Sequence, residues 1–428
     1  MSDRLIRGRT LSFRRRPEGP SDLGALAYEE DGALLIREGR IVASGPFDCA
    51  RGLPIDDHRG HLVLPGLIDA HLHMPQMRVM ASWGTELLDW LSRYTFPEEA
   101  RCVDPAHAAR MARAFFDSTL RNGTTTVAAF CTSHPASAEA FFTESARRGL
   151  RVIGGKVMMD QGAPEALLDT ADRAHDETEA LIRRWHGVGR AEVGITPRFA
   201  ITSSPAQLAA AGALAAAHPS CPVQTHLSEN HAEVALAARL HPNAPDYFGI
   251  YEAHGLAGPR SLFGHCLHLT ERERAAMAET GSVAVFCPTS NLFLGSGLFD
   301  MAGLEAAGLR TAIATDIGGG TSPSLLRTLA EAYKVLALQG QRMDPLTAFW
   351  RATRGNAEAL GLGNRIGSLE PGIEADVVVL DPRATPEMAL RHETVESLAE
   401  ELFLLQTLGD DRAVRAVYAA GEPLLPAP

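Results

Sequence analysis

The chain has 428 residues, 45% of them apolar, which is too long for one small core and suits a large α/β barrel with a small added domain. Lys plus Arg total 40 against 52 Asp plus Glu, and the resulting net charge of -12 repels phosphate backbones, which argues against nucleic acid as a partner. The six cysteines, Cys49, Cys102, Cys131, Cys221, Cys266 and Cys287, form no C-x-x-C pair, so reduced thiols are expected rather than the disulfide framework of a secreted scaffold.

Arg14, Arg15 and Arg16 are followed by Pro17 to Asp22 rather than by an apolar h-region, so no export signal is read. No run of about eighteen apolar residues occurs either, and a soluble, cytoplasmic protein without membrane contact is expected. Residues 34–45 read as two short strands joined at Glu38-Gly39. From residue 64 onward, short β-branched runs alternate with Ala/Leu/Glu/Arg-rich segments, the signature of βα units around a parallel sheet. Eight barrel strands are placed at 64–73, 124–130, 151–158, 192–199, 223–226, 262–265, 283–287 and 311–316. Ser204-Pro205 and Thr270 with Glu273 mark helix starts, and Gly123, Gly149 and Gly281 mark helix ends. Beyond the barrel, residues 366–372 lead into a second β-rich patch at 375–380. The expected architecture is a (β/α)8 TIM-type barrel over residues 64–365, with a small β-sandwich domain built from both chain ends, 1–63 and 366–428.

His71-Leu72-His73 closes the first predicted strand, and residues two apart on a strand share a face, so both imidazoles can reach one metal ion. His226, His265 and Asp316 fall at the ends of strands five, six and eight, where barrels build their active sites. Taken singly, His226 or His265 reads more readily as a hydrogen-bonded core residue than as a ligand. Together, four histidines and one carboxylate at strand ends form a pattern that packing has no reason to produce, and zinc or iron(II) suits such a donor set. Glu229 follows His226 as H-x-x-E, beside the metal but free to move protons. Deamination of an aromatic ring needs a ring nitrogen protonated, water activated and a proton given to the departing amine. Asp316 leads into Gly318-Gly319-Gly320, which lacks the Lys-Ser/Thr pair of a phosphate loop.

This H-x-H, H-x-x-E, H and D series, flanked by β-rich ends, resembles the deaminase branch of the amidohydrolase superfamily over nearly the whole chain. Residues 65–76, 88–97, 155–160, 196–199, 225–230 and 287–292 resemble the guanine deaminase family within it. The resemblance implies one metal ion per chain, zinc with iron(II) as the alternative, held by His71, His73, His226, His265 and Asp316. It further implies Glu229 and Asp316 as catalytic groups, Gln76, Arg198 and Phe199 as substrate-binding residues, a homodimer, and conversion of guanine to xanthine and ammonia in purine catabolism. The chemistry agrees, because Arg198 offers only donors, suiting the O6 and N7 acceptors of guanine, whereas adenine would oppose it with an amino group.

A sister enzyme acting on 8-oxoguanine, a pterin, cytosine or a triazine would share the metal ligands and differ in the pocket. A catalytically silent barrel serving as an assembly subunit would have lost ligands that are all present here. A cytidine-deaminase-type fold lacks support, since its H-x-E and P-C-x-x-C signature is absent. Lys156 is read as an ion pair inside the barrel rather than a carbamylated metal bridge. His134, His231 and His268 are read as surface or supporting residues, Cys266 and Cys287 as small apolar packing, and Phe199, Trp90, Tyr94 and Phe96 as either core or substrate platform. Residues 83–96 are the candidate lid.

Overall fold

The computed structural model describes residues 3–47, 53–84 and 86–425; Cys49 lies outside the described residues. Four strands come first: β1 (Arg4–Phe13), β2 (Leu26–Arg37), β3 (Arg40–Pro46) and β4 (Ile55–Pro65). The barrel follows, with β5 (Leu67–His73), β6 (Thr124–Phe130), β7 (Arg151–Gly155), β8 (Val157–Met158), β9 (Ala191–Val193), β10 (Thr196–Pro197), β11 (Val223–Leu227), β12 (Ser261–His265), β13 (Val283–Phe286) and β14 (Arg310–Ile313). Three strands end the chain: β15 (Val377–Leu380), β16 (Val414–Ala419) and β17 (Glu422–Leu425).

Two parallel runs, β5-β6-β7-β9 and β11-β12-β13-β14, make the barrel wall. They meet through a parallel bridge between Ile195 and Val223 on one side. On the other side the Asp316 amide donates to the His71 carbonyl at 3.0 Å. Asn356 seals that second seam, donating from Nδ2 to the carbonyls of Ile68 and Ile313 at 2.7 and 2.8 Å. The strands are buried along almost their whole length, as expected for a parallel sheet covered by helices.

The helix signals hold their places. Ser204 caps Pro205–Ala217, Thr270 and Glu273 form a capping box on Glu271–Thr280, and Gly149 and Gly281 end their helices in the left-handed conformation. The first predicted strand divides at Gly66, so that Leu64 and Pro65 pair with Val378 and Val377 of β15 instead of joining the barrel. The third and fourth predicted strands are also interrupted. A Cβ at Gly155 would lie 1.9 Å from Thr196 Oγ1, and this close approach separates the β7–β9 ladder from the short β8–β10 pair.

The chain ends combine in one seven-stranded sheet, ordered β17-β16-β15-β4-β1-β2-β3. Its β2–β3 hairpin turns at Glu38 and Gly39, both at positive φ (50° and 76°), the conformation of a type I′ turn. The C-terminal stretch also holds two helices, Pro386–His392 and Leu398–Leu408, which the β-rich reading of that stretch did not include. The second packs on the helices Leu325–Leu338 and Pro345–Trp350, and its Glu401 accepts two 2.7 Å hydrogen bonds from Arg9 of β1.

Candidate active site

β5 delivers His71 and His73, β11 delivers His226, β12 ends on His265, and Asp316 stands three residues past β14. All five side chains are buried. His73 Nε2 and His226 Nε2 face each other at 3.2 Å across stacked rings. Asp316 Oδ1 lies 3.5 Å from His71 Nε2 and 3.3 Å from His73 Nε2, and its Oδ2 lies 3.9 Å from His265 Nε2. His265 and Asp316 hold their backbones at φ 73° and 51°, a strained choice for side-chain-bearing residues and one that recurs at functional sites.

Burial pushes all four histidines down, His73 and His265 to about 3, so the imidazoles are neutral and their lone pairs free. His71 Nε2 and His73 Nδ1 are buried with no hydrogen-bond partner. Donor atoms of His71, His73 and His226 lie within 4.8 Å of one another, as do those of His71, His265, Cys287 and Asp316. Neutral nitrogens facing each other in a buried site, with a carboxylate beside them, fit a bound cation. Two of the rings are oriented from behind: His226 Nδ1 donates to the Arg198 carbonyl at 2.7 Å, and His265 Nδ1 lies 2.9 Å from the Asn291 amide.

Glu229 sits at the rim of this cluster, with Oε2 3.3 Å from His265 Nε2 and Oε1 accepting from Ser296 Oγ at 3.2 Å. Burial, then the nearby Asp316 charge, holds its carboxyl well above the ordinary range, which favours its protonated form. Its backbone amide donates to Glu233 at 2.8 Å.

Gln76, Arg198, Phe199, Glu229 and three of the histidines line one slot of about 340 Å³. Leu87, Trp90 and Leu91 form its outer wall. Of the candidate lid, Trp83 is 71% exposed and stands apart, Tyr94 is half-buried, and Phe96 packs beneath the Arg198 guanidinium.

Lys156 points elsewhere than expected. Its ammonium pairs with Asp169 at 2.5 Å and Glu177 at 3.2 Å, toward the helix Ala171–Trp185 and not into the barrel. The reason is the break at Gly155, which turns the next side chain away from the sheet's inner face. The rings of His231 and His268 lie 3.8 Å apart, tilted by 32°, and His268 Nε2 reaches the Ser296 carbonyl.

Sequence reasoning missed three supporting residues. Glu99, fully buried, accepts from both Gln76 and Arg198. Asp69, pushed up to about 7 by burial, accepts from Thr315 Oγ1 and from the Thr315 amide beneath the cluster. Asn291 orients His265. Asp69 was legible as a third member of the alternating face that carries His71 and His73; Glu99 and Asn291 carry no local signal.

Residues 62–424 match the model of the amidohydrolase family. The guanine deaminase of Escherichia coli (strain K12) is 43% identical over 424 residues, covering 98% of this chain and 97% of that one. A solved structure of E. coli guanine deaminase has a TM-score of 0.97 and covers 99% of both chains. The probable guanine deaminase of Deinococcus radiodurans is 39% identical over 409 residues, covering 93% of each chain. Guanine deaminase from C. acetobutylicum, solved with guanine bound in its active site, is 28% identical with a TM-score of 0.89, covering 98% of this chain and 99% of that one.

Proposed function

The chain belongs to the amidohydrolase family, and on that premise we propose that it hydrolyses guanine to xanthine and ammonia in purine catabolism. The observation that supports this reading is the slot itself, lined together by Gln76, Arg198, Glu229 and three neutral imidazoles. Zinc, with iron(II) as the alternative, would be held by His71, His73, His226, His265 and Asp316. When bound, the metal supplies Lewis acidity and makes water nucleophilic near neutral pH.

Arg198 donates to the O6 and N7 edge of guanine, and Phe199 lies against the ring. Gln76 fixes the ring in its plane. Asp316 takes the proton lost by the attacking water. Glu229 gives its proton to ring N3 as oxygen adds to C2; its carboxylate then takes the proton of the new C2 hydroxyl and passes it to the amino group, which leaves as ammonia, and the proton held by Asp316 returns to Glu229. The same reading includes a homodimer working in the cytoplasm; the five described cysteines, all free, suit a reducing compartment.

The deciding experiment follows xanthine and ammonia from guanine with metal-loaded protein, a chelated sample and Glu229→Gln. Stoichiometric, chelator-sensitive products are expected, and Glu229→Gln should keep its metal while losing roughly 10²- to 10⁴-fold in kcat, the range of a general acid–base group. A metal-loaded sample with no turnover would move the substrate to another amino-heterocycle. A Glu229→Gln variant with near wild-type rate would remove the proton shuttle.

A further inference from the structure

Glu99 sits in the short helix Phe96–Ala100 with a completely buried side chain, and each of its oxygens has one partner. Oε1 accepts from Gln76 Nε2 at 2.7 Å, and Oε2 accepts from Arg198 Nη1 at 2.5 Å. Gln76 Oε1 in turn accepts from the Gly318 amide at 3.2 Å. These bonds leave the Gln76 amide one orientation. Turned over, its oxygen would oppose the Glu99 carboxylate and its NH2 would oppose the Gly318 N–H.

Arg198 is constrained in the same way. Its charge is balanced by a buried carboxylate hydrogen-bonded to it, so its remaining N–H groups act as aimed donors rather than as an uncompensated cation. Both recognition residues line the slot, and so do Leu87, Trp90 and Leu91 from the turns leading into Glu99. One segment therefore supplies the slot's outer wall and the group that sets its polarity.

We propose that Glu99 is a positioning residue that makes the recognition end of the slot selective for purines carrying an exocyclic oxygen over purines carrying an amino group at the same edge. The inference rests on the assignment of guanine as substrate, but it concerns how the pocket discriminates and not whether the reaction occurs. Without the carboxylate, the Gln76 amide can turn and accept from an amino group, and Arg198 loses its fixed direction.

The test compares wild type, Glu99→Gln and Glu99→Asp, the last keeping the charge on a side chain too short to reach both partners. Dissociation constants are measured for hypoxanthine and adenine, which share the purine frame, lack the amine that the reaction removes, and differ at the edge in question. Wild type should prefer hypoxanthine. Both variants should bind it roughly 10- to 100-fold more weakly, the loss of one charge-assisted hydrogen bond, while adenine binding changes less. Guanine KM should rise more than kcat falls, a split that a merely structural defect would not produce. A folded variant with the wild-type preference, or a wild type with no preference, would overturn the proposal. Should Glu99→Gln fail to fold, Glu99→Asp decides it. If wild type binds selectively yet turns over no guanine, the assigned reaction falls while the role of Glu99 stands.

Discussion

Gly66 shows how little room separates the end sheet from the barrel. A Cβ there would lie 2.1 Å from Thr125 Oγ1 and 2.5 Å from Thr125 Cγ2, contacts that no side chain tolerates. Gly66→Ala should therefore cost about 1–3 kcal/mol in denaturant unfolding, the usual penalty of overpacking. Adding Thr125→Ala should recover part of it, because the two residues share one space. At the metal cluster the residue to test is Asn291, whose amide lies against His265 Nδ1. Asn291→Ala should weaken metal retention about 10- to 100-fold in competition with a chelator, since an orienting partner behind a ligand is worth that much. Unchanged retention would mean that packing alone holds the His265 ring.

The loop after β11 and the helix His231–Leu240 work as one element. Asn230 caps this helix and Glu233 completes the capping box, but Glu233 also accepts from the Glu229 amide and from the Tyr247 hydroxyl at 2.6 Å. The same carboxylate that starts the helix thus holds Glu229 in place. Asn230→Ala should lower stability by about 1 kcal/mol, the usual value of a cap, with kcat nearly unchanged. Glu233→Gln should lower kcat with metal content intact, because the Glu229 peptide loses its charged acceptor. Equal kcat in the two variants would show that the cap and Glu229 are independent.

Across the whole molecule, the chain ends are tied to the base of the barrel by buried charges. Arg151 of β7 forms two hydrogen bonds with Glu374 at 2.6 and 2.8 Å, and Arg190 reaches both Glu374 and Asp376 just before β15. Burial pushes the Glu374 carboxyl up, yet Arg151 and Arg190 outweigh it and hold it at about 2 against an ordinary 4.5. A depressed carboxyl contributes stability that is fully present above its unfolded value and is lost as pH falls toward its folded one. The wild type should therefore lose stability between about pH 4.5 and 2 more steeply than Glu374→Gln, which should itself be less stable near neutral pH. Parallel acid titrations followed by circular dichroism would show it, and coincident curves would refute the tie. Removing the metal should also lower the melting temperature, because a ligand that binds only the folded barrel stabilises it by mass action.

Local rules were enough for the repeating parts. Alternation of β-branched and helical segments placed the barrel strands, caps and glycines placed helix ends, and the period of two put His71 and His73 on one face. Those features depend on neighbours a few residues away, and a sequence displays such neighbours directly. Glu99 joins Gln76 across 23 residues and Arg198 across 99, and Asn356 closes a seam between strands more than two hundred residues apart in the chain. The division of the first strand at Gly66 and the outward turn of Lys156 likewise depend on Thr125 and Thr196, which approach only once the barrel closes. Donor types and strand ends were thus decided by sequence, while the direction in which each polar group faces was decided by the folded neighbours that leave it one satisfied partner.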